Sequence, residues 1–250
     1  MSMYKLGTDK ITEKAVSILR EKVKKAKPKI LDIGSGDGSF LKIAGEVVPA
    51  EYSACDYTDE IIDHSDIAVD VVDLNSQSLP YPENYFDAVS MTEVIEHLEN
   101  PRKIVREIFS VLIPGGTVVI STPNILNIKS RLRFLLYGFW NLFGPLKIGG
   151  NPIESTNGHI SPISYFYLAH AMKEAGFINI AVTIDKVQKT SLYGALILYP
   201  LIKLNSMLQN RREQKKYRTI DSSNIEFVLK VNSLDILLGR TIIVTADKPD

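Results

Sequence analysis

The sequence predicts a doubly wound α/β fold: a mostly parallel sheet with helices on both faces, interrupted by helical and aromatic insertions. Three observations predict it. Short apolar runs alternate with stretches of helical periodicity along most of the 250 residues, the pattern of strands joined by crossover helices. The first run leads into a glycine loop, ILDIGSGDGSFL at 30–41. The first three strands each close on an acid, Asp32, Asp56 and Asp73.

Taken in order, 8–26 reads as a helix, with Ile11, Ala15, Ile18 and Leu19 on one face, and Pro28 stops it. KILDI (29–33) is a strand, and a helix follows Gly38. YSACD (52–56) is a strand, a short helix starts at Thr58, and 69–74 and 86–91 are strands. Residues 100–112 form a helix with Asn100 as its cap and Pro101 in its first position, where the missing N–H costs nothing. PGG (114–116) is a turn before the strand 117–122. The alternation lapses at 123–161, resumes with a helix at 164–176 and a strand at 177–184, lapses again, and ends with a strand at 240–247. The reading is one domain over 1–250, with insertions at 124–161 and 188–232.

Twenty-nine basic residues balance 29 acidic ones, so global charge gives no argument for nucleic acid or an anionic partner. One cysteine, Cys55, allows no intrachain disulfide and fits a reducing compartment. The apolar stretches at 134–146 and 190–202 fall short of the ~20 residues that span a bilayer. The expectation is a cytoplasmic protein, soluble or peripherally attached to a membrane.

Glycines permit tight turns and the close approach of a ligand. A dinucleotide loop spaces them G-x-G-x-x-G; here they stand at Gly34, Gly36 and Gly38, with Ser39 in the third dinucleotide position. Asp32, two residues before the first glycine, repels a pyrophosphate and favours a ligand whose near end is an ammonium or sulfonium. S-adenosylmethionine has both and no phosphate. Asp56, 22 residues after Gly34, stands where a carboxylate accepts from ribose hydroxyls. Asp73 followed by Leu74 suits an adenine amino group and ring face. Aspartate after a strand is also ordinary turn chemistry. It is the series of three that favours the cofactor, and a nicotinamide cofactor fails on the glycine spacing and on Asp32.

These segments resemble the class I S-adenosylmethionine-dependent methyltransferases. ILDIGSGDGSFL is similar to their first motif, DYTDEII to the acid after strand two, and VDLNSQSLPYPENYFDAV to the third and fourth strand region. TEVIEHLENP (92–101) resembles the segment after strand four in the ubiquinone-type O-methyltransferases, and LIPGGTVVISTPN their fifth strand. The resemblance returns at GHISPISYFYLAHAMKEAGF and LGRTIIVTADKP. It implies a Rossmann-like sheet of seven strands whose last strand is antiparallel. It places Asp32, Gly34, Ser35 and Gly36 at the methionine end, Asp56 on the ribose with Tyr57 beside the adenine, Asp73 and Leu74 on the base, and Thr92 and Glu93 on the sulfonium side. S-adenosylhomocysteine would be the product. The NPPY signature of nucleic-acid amino-methyltransferases is absent after strand four, so a small-molecule acceptor is expected and no nucleic acid.

Transfer from a sulfonium needs alignment and a dry pocket; an oxygen acceptor also calls for a base. His97 and His159 are the candidates, though the favoured reading of each is structural, His97 ordering its loop and His159 the lid. His64 and His170 read as surface or helix-packing residues, and Cys55 as core. Glu93 and Glu96 lie near His97, but they match no trusted ligand set, and no metal is expected. Segments 127–150 and 190–218 set apolar residues beside Lys and Arg. They read as a substrate lid, as a peripheral membrane contact, or as both. The function expected is methyl transfer to a small molecule, most plainly at oxygen of a quinone or isoprenoid-type acceptor or of a glycan or lipid-linked sugar. The alternative is a non-catalytic S-adenosylmethionine-binding or scaffold protein of the same fold.

Overall fold

A computed structural model describes residues 5–61, 67–148 and 158–250. Seven strands form one sheet: β1 (Lys29–Ile33), β2 (Glu51–Asp56), β3 (Val69–Val71), β4 (Phe86–Thr92), β5 (Leu112–Pro123), β6 (Ile178–Ile184) and β7 (Thr241–Asp247). Their order is β3-β2-β1-β4-β5-β7-β6. The pairs from β3 to β5 are parallel, and β7 runs antiparallel to both β5 and β6. This is the seven-stranded sheet with an antiparallel last strand that the sequence motifs imply.

The strands are apolar on both faces because helices cover both. Leu31, Ile33, Val89, Met91, Val118 and Ile120 face one layer, which holds α3 (Pro101–Val111), α5 (Tyr165–Ala175) and Phe227. Ile30, Ala54, Ala88, Val119 and Ile243 alternate with them and meet α1 (Lys5–Lys22) and α2 (Ser39–Val47). The expected α1 face is present, with Ile11, Ala15 and Leu19 buried. The Asn100 side chain caps α3 by accepting from Lys103 N at 3.0 Å.

Four expectations need correction. α1 stops at Lys22, ahead of Pro28; the stretch 20–27 is mostly charged, with only Val23 and the small Ala26 to extend a buried face. β3 ends at Val71 instead of at 74, because Asp73 turns the chain. PGG (114–116) is not a free turn but a bulge within β5, where the register shifts between Phe86 and Ala88. Residues 57–61 bend without forming a helix; 62–66, with His64, lie outside the described residues.

The insertions are helical. α4 (Ile128–Tyr137) leaves the end of β5, and α6 (Lys189–Arg212) leaves β6, running on as a π-turn to Tyr217. α7 (Ile225–Lys230) and α8 (Leu234–Leu238) lead back to β7. Ile128, Ala195 and Leu237 form a small separate core among α4, α6 and α8. Gly194 lets α6 approach α4: a Cβ there would lie 2.6 Å from Ile128 Cγ2. The 190–202 stretch, read as too short to span a bilayer, belongs to a continuous helix over Lys189–Tyr217 that is long and apolar enough by length and composition.

Candidate active site

β1, β2, β4 and β5 run in the same direction, so Ile33, Asp56, Thr92 and Pro123 end on one edge of the sheet. β1 lies between β2 and β4, so the connections leave it to opposite sides and a crevice opens at its carboxyl end. The glycine loop fills the mouth of that crevice. Gly34 N and Ser35 N donate to Cys55 O at 2.8 and 3.3 Å, which holds the loop against β2. Gly34 has φ +74°, and a Cβ there would lie 2.2 Å from Val94 Cγ2. Both facts require glycine, and the second ties the loop to the segment after β4. At Gly36 (φ +52°) nothing lies within 4 Å of a Cβ position; the backbone faces open space.

Asp32 is 1% exposed, and its Oδ1 has no hydrogen-bond partner. Burial pushes its pKa well above the usual carboxylate range; nearby Asp56 adds to the rise and Ser90 opposes it. The Ser35 hydroxyl is also buried and unpartnered. Two orphaned polar groups beside an open glycine backbone fit the cationic amino-acid end of S-adenosylmethionine, since leaving such groups unpaired is costly. Asp56 Oδ2 accepts from Gly36 N at 2.8 Å and Oδ1 from Thr58 N at 3.4 Å. It thus straps the loop and keeps acceptor capacity for a ribose. Tyr57 beside it is exposed.

Asp73 does not end a strand, as expected, but opens a turn: its carboxylate accepts from Asn75 N at 3.0 Å and Ser76 Oγ at 2.8 Å. This is the turn chemistry set against the cofactor reading of that acid. Val72 N donates to Asp56 O at 2.8 Å, so the turn still lies beside Asp56. Leu74 packs against the main core.

Thr92 ends β4, and Glu93 follows with φ +56°, a conformation that costs a non-glycine residue about 1 kcal/mol or more and concentrates at functional sites. Glu93 N donates to Ser121 Oγ at 3.0 Å, and Glu93 Oε1 lies 3.1 Å from the same hydroxyl. Burial raises the Glu93 pKa to about 7; Ser121 and Arg240 oppose the rise and Asp185 adds to it.

A short 3-10 turn (Ile95–His97) then carries Glu96 fully into the interior. Its backbone carbonyl accepts from Ile160 N and Ser161 N, both at 2.9 Å, which docks the return from the first insertion onto this turn. Glu96 Oε2 accepts from Thr122 Oγ1 at 3.1 Å, while Oε1 is buried without a hydrogen-bond partner. His159 Nε2 lies 3.9 Å from that oxygen. His159 Nδ1 is 2.9 Å from Leu142 O; a carbonyl only accepts, so Nδ1 carries the hydrogen and Nε2 presents a lone pair. The His97 and His159 rings stand 4.8 Å apart, edge to face. Burial, and then His97, lowers the His159 pKa to about 4; burial lowers that of His97 too. Burial, with Glu93 beside it, drives Glu96 well above the usual carboxylate range.

The structure therefore brings the two candidate histidines together, 62 positions apart in the chain, and adds Glu96. The sequence weighed Glu96 only as a metal ligand; its burial comes from Thr122 and from residues 160–161, so no local signal marked it. Glu96, His97 and His159 each offer a ligand atom within 4.8 Å of the others, so this cluster has the spacing to hold a divalent cation as well as a proton. His170 faces Arg102 at 3.3 Å on the surface, away from the cluster.

A family model described as "Methyltransferase domain" matches residues 9–182. The chain is 31% identical over 103 residues to a ubiquinone/menaquinone biosynthesis C-methyltransferase of Vibrio cholerae, an alignment covering 37% of this chain and 40% of that protein. It is 35% identical over 104 residues to a ubiquinone biosynthesis O-methyltransferase of Xanthomonas campestris, covering 38% and 43%. These matches thus span about two fifths of the relatives' own length. Among solved structures, a SAM-dependent methyltransferase from Archaeoglobus fulgidus aligns over 95% of this chain and 94% of its own, with TM-score 0.58 and 20% identity. That likeness carries the fold. With the family model matching more than half of the sequence, and with the glycine loop and its orphaned acid at the carboxyl edge, the chain belongs to the S-adenosylmethionine-dependent methyltransferase domains of class I fold.

Proposed function

We propose that this protein transfers a methyl group to an oxygen of a small-molecule acceptor with an apolar tail, a quinone-type phenol before a glycan or lipid-linked sugar. The observation that carries the reading is the Glu96–His159–His97 cluster beside Glu93, at the edge where the cofactor loop opens. S-adenosylmethionine, when bound, supplies a methyl on a leaving group that is already activated. The chain's own residues have four tasks. Asp32, Ser35 and the backbone at Gly34 and Gly36 bind the amino-acid end. Asp56, Tyr57, Asp73 and Leu74 line the nucleoside. Thr92 and Glu93 flank the sulfonium. His159, neutral, takes the acceptor proton at Nε2, and the Glu96 carboxyl lies 3.9 Å from that nitrogen to share it.

The insertions at 124–161 and 188–232 serve as the cap over this edge and exclude water; residues 149–157 within them lie outside the described residues. Similarity to both C- and O-methyltransferases leaves the acceptor atom to experiment, and the paired base favours oxygen. Incubation with S-adenosylmethionine and catechol or tailed-phenol acceptors should release S-adenosylhomocysteine with one methyl ether per turnover. His159→Asn should lower kcat roughly 10²–10⁴-fold with little change in cofactor affinity. Carbon-methylated product would replace the oxygen reading, and cofactor binding without turnover on any acceptor would favour the scaffold alternative. The spacing of the same three donors favours one second reading, a divalent cation that orients the acceptor oxygen; activity lost on chelation and restored by a divalent cation would install it.

A further inference from the structure

α6 is apolar on two opposite faces, and the fold covers only one. Ser191, Ala195, Leu198, Tyr199 and Ile202 turn inward, to the small core with α4 and α8. On the other side Tyr193, Leu196, Ile197, Leu201, Leu204 and Leu208 are each more than half exposed. They form a stripe about 22 Å long at 1.5 Å per residue. At Gly194 this helix crosses α4 near Leu132. The far end of α4 exposes Leu135 at 77% and Leu136 at 82%. Patches of this extent on a soluble surface mark an interaction site.

Charge identifies the occupant. Residues 125–148 and 186–212 contain no Asp or Glu. Lys129 on α4 and Lys203 on α6 are exposed on the helices that carry the apolar surface, and α6 runs on into exposed Arg211, Arg212 and Lys215. A second copy would set two such surfaces against each other, basic on basic. An anionic bilayer complements both the apolar stripe and the basic border. Because the inward face stays packed on the domain, the helix lies in the membrane plane instead of crossing it.

We infer that the outward face of α6, with the end of α4, docks the enzyme in the plane of an anionic phospholipid surface. β6 is parallel to β5, since both oppose β7; α4 and α6 therefore leave from the same carboxyl edge that carries the glycine loop. Docking turns that edge toward the headgroups, where a tailed acceptor partitions. The inference rests on the cap reading above, but its test reads binding without turnover, so either can fail alone.

The test is flotation of the full chain with vesicles of phosphatidylcholine alone or mixed with phosphatidylglycerol. Flotation with the mixed vesicles only, weakening as salt is raised, is expected. Leu196→Asp with Ile197→Asp, both exposed and harmless to the fold, should lower binding at least about tenfold. Arg211→Gln and Arg212→Gln should each lower it roughly fivefold. Unchanged circular dichroism and cofactor titration would show that the variants remain folded. Failure to float with either vesicle would overturn the inference. So would equal flotation of the aspartate variant, or a dimer in sedimentation velocity that this variant dissolves without any vesicle binding by the wild type.

Discussion

At the scale of single residues, the site depends on acids kept out of water. Glu93 shows how this is measured. Its carboxyl is held at about pH 7 by burial, while a cation beside it prefers the carboxylate. Cofactor binding should therefore tighten as pH rises through 7, by about tenfold between pH 6 and 8, and Glu93→Gln should flatten that profile in calorimetric titrations. Stability has the opposite sign. A carboxyl with a raised folded pKa contributes fully below its unfolded value and loses that contribution as pH climbs through the folded one. Glu93→Gln should thus gain up to about 3 kcal/mol over wild type at pH 8 and nothing at pH 4, as urea melts at the two pH values would report. Asp56→Ala should weaken S-adenosylmethionine binding by ~1–3 kcal/mol, because the change removes the strap on Gly36 and the acceptor proposed for the ribose; unchanged affinity would refute the placement of the nucleoside. Asp32 and Asp56 were legible in the sequence because each lies in or at the end of a strand with a clear apolar period. Glu96 was not: nothing local distinguishes a buried glutamate in a 3-10 turn from a solvated one. Its burial comes from β5 and from residues 160–161 docking on it.

At the scale of elements, the core strands and α1, α2, α3 and α5 could be read because period and caps agree there: Asn100 and Pro101 before α3, Ser164 and Gly176 around α5. β3 was read too long because VDVVDL carries strand composition past the point where Asp73 bonds its own turn. α6 was read as an apolar and basic segment, lid or membrane contact, without its bounds as one helix, because its two apolar faces cancel as a periodic signal. Its glycine marks where it meets α4. Gly194→Ala should cost about 1–3 kcal/mol, as overpacking against the buried Ile128 does. Gly45→Ala in α2, with nothing within 4 Å of the new Cβ, should gain about 0.5–1 kcal/mol from helix propensity. Thermal melts of the pair separate close packing from backbone propensity, and equal effects would refute the contact.

At the scale of the whole molecule, one sheet edge carries everything of consequence. The parallel strands deliver the glycine loop, Asp56 and the Glu96 turn to it, and both insertions spring from it. The order of the core explains why the cofactor class could be read before any contact was seen: the binding edge is written in strand ends, which are local. The acceptor could not be read, because the insertions pack together from segments some 60 residues apart, and that packing is tertiary. The most direct measurement is calorimetric titration of the full chain with S-adenosylmethionine, S-adenosylhomocysteine and NADH in parallel. Saturable one-site binding of both adenosyl ligands, weakened by Asp32→Asn and absent for NADH, is the predicted result. Binding of NADH, or binding of neither adenosyl ligand by a folded sample, would contradict the account.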